Sequence, residues 1–199
     1  MKRATRTKTS TRTRRSSTPG AHPKKKITDR TPGASIAYLG LGSNLGNRRA
    51  RLESALREIA RLAPVRKVSS FYRSEPVGFR DQPDFWNAVV EITWSGTARG
   101  LLEAARQVER RVGRTPSFRN GPREIDVDVL DFGGRIRSRD PILPHPRLNE
   151  RRFALAPLGE VNPRWRDPRS GRTVRELLAS LPASPRIAKI ALRARRPGE

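Results

Sequence analysis

The sequence predicts an α+β fold in βαββαβ order, the split arrangement of ferredoxin-like domains, followed by a C-terminal helical and turn-rich extension. Three observations lead there. Apolar residues alternate at period two in "SIAYLGLGS", "FWNAVVEITW" and "REIDVDVLDFGG". They recur at helical spacing in two other segments, and the two kinds of segment follow one another as strand, helix, two strands, helix, strand.

Taken in order, Ser35–Ser43 reads as a first buried strand. The following "RRARLESALREIARL" puts Leu52, Leu56, Ile59 and Ala63 on one helical face, with Asn47 as its N-cap. "VRKVSSFYRSEPV" reads as a second strand ended by Pro76, and the Gly-, Pro- and Asp-rich "SEPVGFRDQPD" as a loop. In the third strand, Phe85–Trp94, Phe85, Asn87, Val89, Glu91 and Thr93 share one face; Trp86, Ala88, Val90, Ile92 and Trp94 share the other. A second helix from about Thr97 to Arg111 carries Leu101, Ala105, Val108 and Val112 and stops at Gly113. The arginine-rich loop Arg114–Arg123 leads into the acidic fourth strand. Beyond it, "LNERRFALAPLGEV" holds a short helix, and "TVRELLASL" opens on a Thr173/Glu176 capping box and closes at Pro182.

Composition divides the chain. Its formal net charge is +24, and residues 1–33 hold eleven Lys or Arg against one Asp, with almost no large apolar side chain. Such a segment cannot bury enough surface to offset its ordering entropy, so it is expected as a disordered basic tail with weak, nonspecific affinity for nucleic acid. It lacks the apolar stretch of a secretory signal, and Leu and Phe for an amphipathic transit peptide. Residues 34–199 are expected as one domain, monomeric and in the cytoplasm. The absence of cysteine excludes disulfides, thiolate metal sites and thiol nucleophiles, and no apolar run approaches the ~18 residues of a membrane span. Without the tail, 32 basic residues face 18 acidic ones, which calls for an anionic substrate or partner.

In the acidic strand, Glu124, Asp126 and Asp128 share one face and Ile125, Val127 and Val129 the other. Carboxylates crowded this way need cations among them. Arg114, Arg119 and Arg123 could form an ion network with them; magnesium explains more, because two aspartates at i and i+2 aim at one small volume and Mg²⁺ prefers carboxylates, water and phosphate. Arginines beside such a site suit a polyphosphate, so the constellation reads as metal-dependent phosphoryl chemistry. "GLGSNLGN" lacks the spacing of a dinucleotide or phosphate loop and reads as a structural glycine turn. His145, between prolines, is of the kind that is more often structural than a ligand, and Phe85 and Phe153 are of the kind more often core than stacking platforms. An RRM-like RNA-binding module shares the element order, but neither "IAYLGL" nor "EIDVDVLDF" carries its aromatic signature.

Four blocks, "AYLGLGSNLGN", "SSFYRSEPVGFRDQPDFWNAVVEI", "VERRVGRTPSFRNGPREIDVDVLDFG" and "LPHPRLNERRFALAPLGEV", together resemble the 6-hydroxymethyl-7,8-dihydropterin pyrophosphokinase family over about Ala37 to Asn162. The resemblance implies a ferredoxin-like αβα sandwich. It further implies pyrophosphoryl transfer from ATP to the pterin hydroxymethyl group in folate biosynthesis. Asp126 and Asp128 would bind two Mg²⁺ ions, and Arg114 and Arg123 would hold and neutralise the phosphates. Arg119 would belong to a loop closing over the site, with Glu109, His145 and Arg151 on the nucleotide side. Asn87 would bond the pterin edge, and Phe85 and Phe153 would sandwich its ring. Phe85 stands where many relatives have Tyr, and Asn120 where many have Trp before Gly-Pro-Arg.

Overall fold

The computed structural model describes Met1 and residues 33–191, so the expected basic tail lies, apart from its two ends, outside the described residues. Strands β1 (Ser35–Ser43), β2 (Val65–Val68), β3 (Tyr72–Ser74), β4 (Phe85–Trp94), β5 (Asp126–Phe132) and β6 (Ile187–Lys189) form one antiparallel sheet. Its order is β5-β1-β4-β3-β6, with β2 also paired to β4. Helices α1 (Arg48–Leu62), α2 (Ala98–Val112), α3 (Arg152–Val161) and α4 (Val174–Ser180) flank it.

Alternation along the strands decides which helix meets which face. Ala88, Val90 and Ile92 join Leu52, Ile59, Leu101 and Val108 of α1 and α2 in one core. Tyr38, Val89 and Leu130 join Leu155, Leu158 and Val161 of α3, with Leu177 of α4, in a second. Burying each such leucine contributes about 1.5–3 kcal/mol.

Helix ends follow the expected chemistry. Asn47 Oδ1 accepts from the Ala50 N–H at 3.0 Å, and Thr97 Oγ1 from the Gly100 N–H at 3.0 Å. The Thr173/Glu176 capping box is formed. Gly113 ends α2 in the left-handed region, φ 89°. Gly113→Ala is therefore expected to lower stability by about 1–2 kcal/mol, read as a shifted urea midpoint at unchanged slope.

Three features differ from the sequence pattern. The expected second strand is interrupted: the chain from Val68 to Tyr72 spans one residue more than its partner from Val90 to Asn87, and Ser69 turns its hydroxyl to the Val89 N–H at 2.9 Å. In β5, consecutive Tyr38 and Leu39 pair with Asp131 and Val129, so Leu130 is an extra residue. Leu130 and Asp131 consequently both face α3, where buried Asp131 accepts from Trp165 Nε1 at 2.9 Å. Finally, the C-terminal extension contributes a strand as well as helices and turns, since β6 adds to β3.

Candidate active site

The register of the three central strands builds the floor of the site. On the side of the sheet that faces α3, Gly42 of β1 pairs with Asn87 of β4 on one side and Asp126 of β5 on the other; Gly40 likewise lies between Val89 and Asp128. A side chain at Gly42 would start 3.4 Å from Asn87 Oδ1 and 3.8 Å from Asp126 Cβ, so its absence leaves the space into which both neighbours reach. These two glycines are therefore strand residues and not a turn; Gly46, φ 60°, makes the turn. Above this floor opens a cleft.

Of the expected residues, Phe85, Asn87, Arg123, Asp126, Asp128, Arg151 and Phe153 line that one cleft. Asp126 accepts from Arg114 at 2.7 Å and from Arg123 at 3.0 Å, and Asp128 from Arg151 at 2.8 Å. The arginine network weighed against a metal is thus what the side chains form, with Arg151 supplying the partner for Asp128. Glu124 does not share the acidic face. It precedes β5, and its carboxylate accepts from the Thr115 N–H and hydroxyl at 3.2 and 2.9 Å. Arg123 lies 5.9 Å over the Phe85 ring and Arg151 5.7 Å over that of Phe153. Buried Asn87 donates to Ser74 Oγ at 2.9 Å.

Glu109, Arg114, Arg119 and His145 are not among the residues that line the cleft, although Arg114 reaches Asp126 from beside it. Glu109 accepts from Arg114 and, at 2.8 Å, from the Val127 N–H, so it anchors the start of β5 and the arginine that reaches Asp126. Burial pushes its carboxyl up, and the contacts from Val127 and Arg114 only partly oppose this. Arg114 itself is held above its usual range: burial pulls it down, but Asp126 and Glu109 outweigh it. Arg119 is exposed in the turn before Gly121.

Burial, then the Arg151 charge, push the His145 imidazole below its usual value, against Asp128. Its Nδ1 accepts from the Arg147 N–H at 3.2 Å, which only a neutral ring can do. His145 is expected to titrate with an NMR midpoint below ~6.5; a higher midpoint would contradict this geometry.

Sequence reasoning passed over Asn44. It is buried, accepts from the Arg123 N–H at 2.8 Å, and donates to Gln82 Oε1 at 2.9 Å and Pro83 O at 3.1 Å. One amide thus ties the end of β1, the loop before β4 and the arginine before β5. Its position directly after "GLGS" was the available signal. Ser74, Glu75, Arg147 and Glu150 also line the cleft.

The donor set fits a hard divalent cation. Asp126 and Asp128 are i and i+2 on one strand face, both reach the cleft, and Mg²⁺ characteristically takes one or two carboxylates, completing its shell with water and phosphate. Among the described residues no group of three or more His, Cys, Asp or Glu is placed to hold a metal ion.

The family model described as 7,8-dihydro-6-hydroxymethylpterin-pyrophosphokinase (HPPK) matches residues 38–163, a span that contains every site residue named above. A 2-amino-4-hydroxy-6-hydroxymethyldihydropteridine pyrophosphokinase of Bacillus subtilis is 46% identical over 129 residues, covering 63% of this chain and 77% of its own. The protein of the same name from Methylorubrum extorquens is 43% identical over 151 residues, covering 74% and 94%. Among solved structures, Plasmodium falciparum HPPK-DHPS superposes with TM-score 0.61 at 15% identity, over 79% of this chain and 45% of that one, so this chain spans under half of it. That likeness concerns the fold alone. The sequence matches run through β1, β4, β5 and α3, the elements that build the cleft, and on that ground the chain belongs to the 7,8-dihydro-6-hydroxymethylpterin-pyrophosphokinase family.

Proposed function

We propose that the protein transfers a pyrophosphoryl group from ATP to the hydroxymethyl oxygen of 6-hydroxymethyl-7,8-dihydropterin, releasing AMP, as a step of tetrahydrofolate biosynthesis. The observation that carries this reading is one cleft in which Asp126 and Asp128, with Arg123 and Arg151, adjoin Phe85, Asn87 and Phe153. The order β5-β1-β4-β3, with β2 and β3 counted as one interrupted strand, supports the ferredoxin-like αβα assignment. We assign this activity to residues 34–199, acting as a monomer in the cytoplasm, with only weak and nonspecific nucleic-acid binding through residues 1–33.

Asp126 and Asp128 would hold two Mg²⁺ ions, which when bound would supply positive charge against the triphosphate and the reacting hydroxyl. The protein's own part is positioning and charge. Arg114 and Arg123 bind the phosphates and meet the charge that develops as the new bond to the β-phosphorus forms and the bond to AMP breaks. Arg151, Arg119, His145 and Glu109 act on the nucleotide side: Arg151 through its own charge, Arg119 from the loop, Glu109 by holding Arg114, and neutral His145 by adding no charge that would compete for the carboxylates. Asn87 reads the pterin edge, and Phe85 and Phe153 take its two faces.

The test is incubation of the full chain with ATP, Mg²⁺ and the reduced pterin. AMP and pterin pyrophosphate are expected in equal amounts; ADP, or no product, would overturn the reading.

A further inference from the structure

Arg147 lines the cleft but has no part in the reading above. The other guanidinium groups around the floor are tied to it: Arg114 and Arg123 to Asp126, Arg151 to Asp128, with side chains 18–32% exposed. Among the described residues, the Arg147 side chain pairs with Glu150 and with neither floor aspartate. Its Nε meets Glu150 Oε2 at 2.9 Å in a pair whose side chains are 46% and 63% exposed, and pairs so wetted hold weakly. The backbone beneath it, by contrast, is fixed. The Arg147 N–H donates to His145 Nδ1, the Leu148 N–H to His145 O at 3.0 Å, and Leu148 is fully buried. A rigid base therefore carries a loosely held cation at the mouth of an anion site.

We propose that Arg147 is a further phosphate-binding residue of this site, exchanging Glu150 for the outward-facing oxygens of a bound nucleoside triphosphate, and that Glu150 is the internal anion with which the nucleotide competes. The proposal rests on the function given above. Its geometry adds what the floor arginines do not: Arg114 and Arg123 are held by Asp126 and Arg151 by Asp128, whereas Arg147, four residues before Arg151 and lining the same cleft, pairs with neither aspartate. A polyphosphate lying across the two aspartates thus meets cations on both flanks, and Arg147 can turn to it without breaking a floor pair.

The test is calorimetric binding of a non-hydrolysable ATP analogue, and separately of AMP, to the full chain with Mg²⁺, beside the AMP-release assay. Arg147→Gln is expected to weaken the analogue about tenfold or more, the loss of one hydrogen bond to a charged group, and to raise KM for ATP alike. AMP binding and KM for the pterin should stay within about twofold, which a merely structural defect would not spare; Arg147→Lys should recover part of the loss. Glu150→Gln should act oppositely, tightening the analogue by up to about fivefold. Unchanged affinity in Arg147→Gln, or weaker binding in Glu150→Gln, would overturn the proposal. Should Arg147→Gln melt early, Glu150→Gln decides alone, since it leaves the arginine in place. A wild-type protein that releases no AMP would take the functional reading down together with this one, whereas an active enzyme indifferent to Arg147→Gln removes only the role of Arg147.

Discussion

Asp126→Ala and Asp128→Ala are each expected to lower the rate of AMP release by about 10³-fold or more, with the fold retained. Each carboxylate accepts from arginine and, on the proposed function, would help hold a divalent cation, so its removal leaves the floor one of its two negative charges. The folded state should tolerate the change. Asp126 and Asp128 are 26% and 35% exposed, and water can reach the guanidinium groups they leave behind, so a stability loss of only about 1 kcal/mol is expected. Asp126→Asn and Asp128→Asn separate the two readings of these residues. Both keep the shape and one acceptor oxygen for the arginines but lose the negative charge a cation requires. Rates near those of the wild type in the asparagine variants would mean that the aspartates serve the ion network and not a metal.

Asn44→Ala should cost about 1–2 kcal/mol, because the buried Asn44 amide is the partner of the Arg123 N–H and the Pro83 carbonyl, which would lose it in a partly buried position. The expected kinetic effect is larger than that stability loss suggests. Asn44 joins Arg123 at both backbone groups, through its side chain at 2.8 Å and its own N–H to Arg123 O at 3.1 Å, and a misplacement of about 1 Å in a phosphate-binding arginine can lower a rate 10²-fold. The urea midpoint reports the first effect, and turnover at temperatures where the variant is fully folded reports the second. A variant with wild-type turnover there would show that Arg123 is placed by other contacts.

The elements were largely legible because each is short-range physics. Asn47 and Thr97 cap α1 and α2, Gly113 stops α2, and the two faces of β4 go to the two cores that its alternation announces. The interruptions were not legible. Ser69–Phe71 and Leu130 break their ladders through pairings with β4 and β1, and nothing in a strand's own composition reports the length of its partner. Strand β6 was hidden for the same reason: three residues paired only at an edge carry too little pattern.

For the cleft, residue types and spacing pointed to Asp126 and Asp128 with Arg114, Arg119 and Arg123 as a phosphate-handling group, because like charges at i and i+2 on a strand demand cations; Arg114 and Arg123 reach Asp126, whereas Arg119 stays exposed in its turn. Glu124 seemed to belong with them by periodicity, yet β5 starts after it and Thr115 holds it aside.

By itself, then, the sequence determined the chemistry on offer: a basic chain without thiols, two aspartates on one strand face, a loop dense in arginine, and the motifs of its family. Only the tertiary structure decided which of those groups meet. Gly42 between Asn87 and Asp126, Arg151 on Asp128, Asn44 on Arg123 and Arg147 at the rim are contacts between segments far apart in the chain. Local patterning specifies faces and ends, whereas convergence depends on strand register and loop closure, which belong to the whole chain at once.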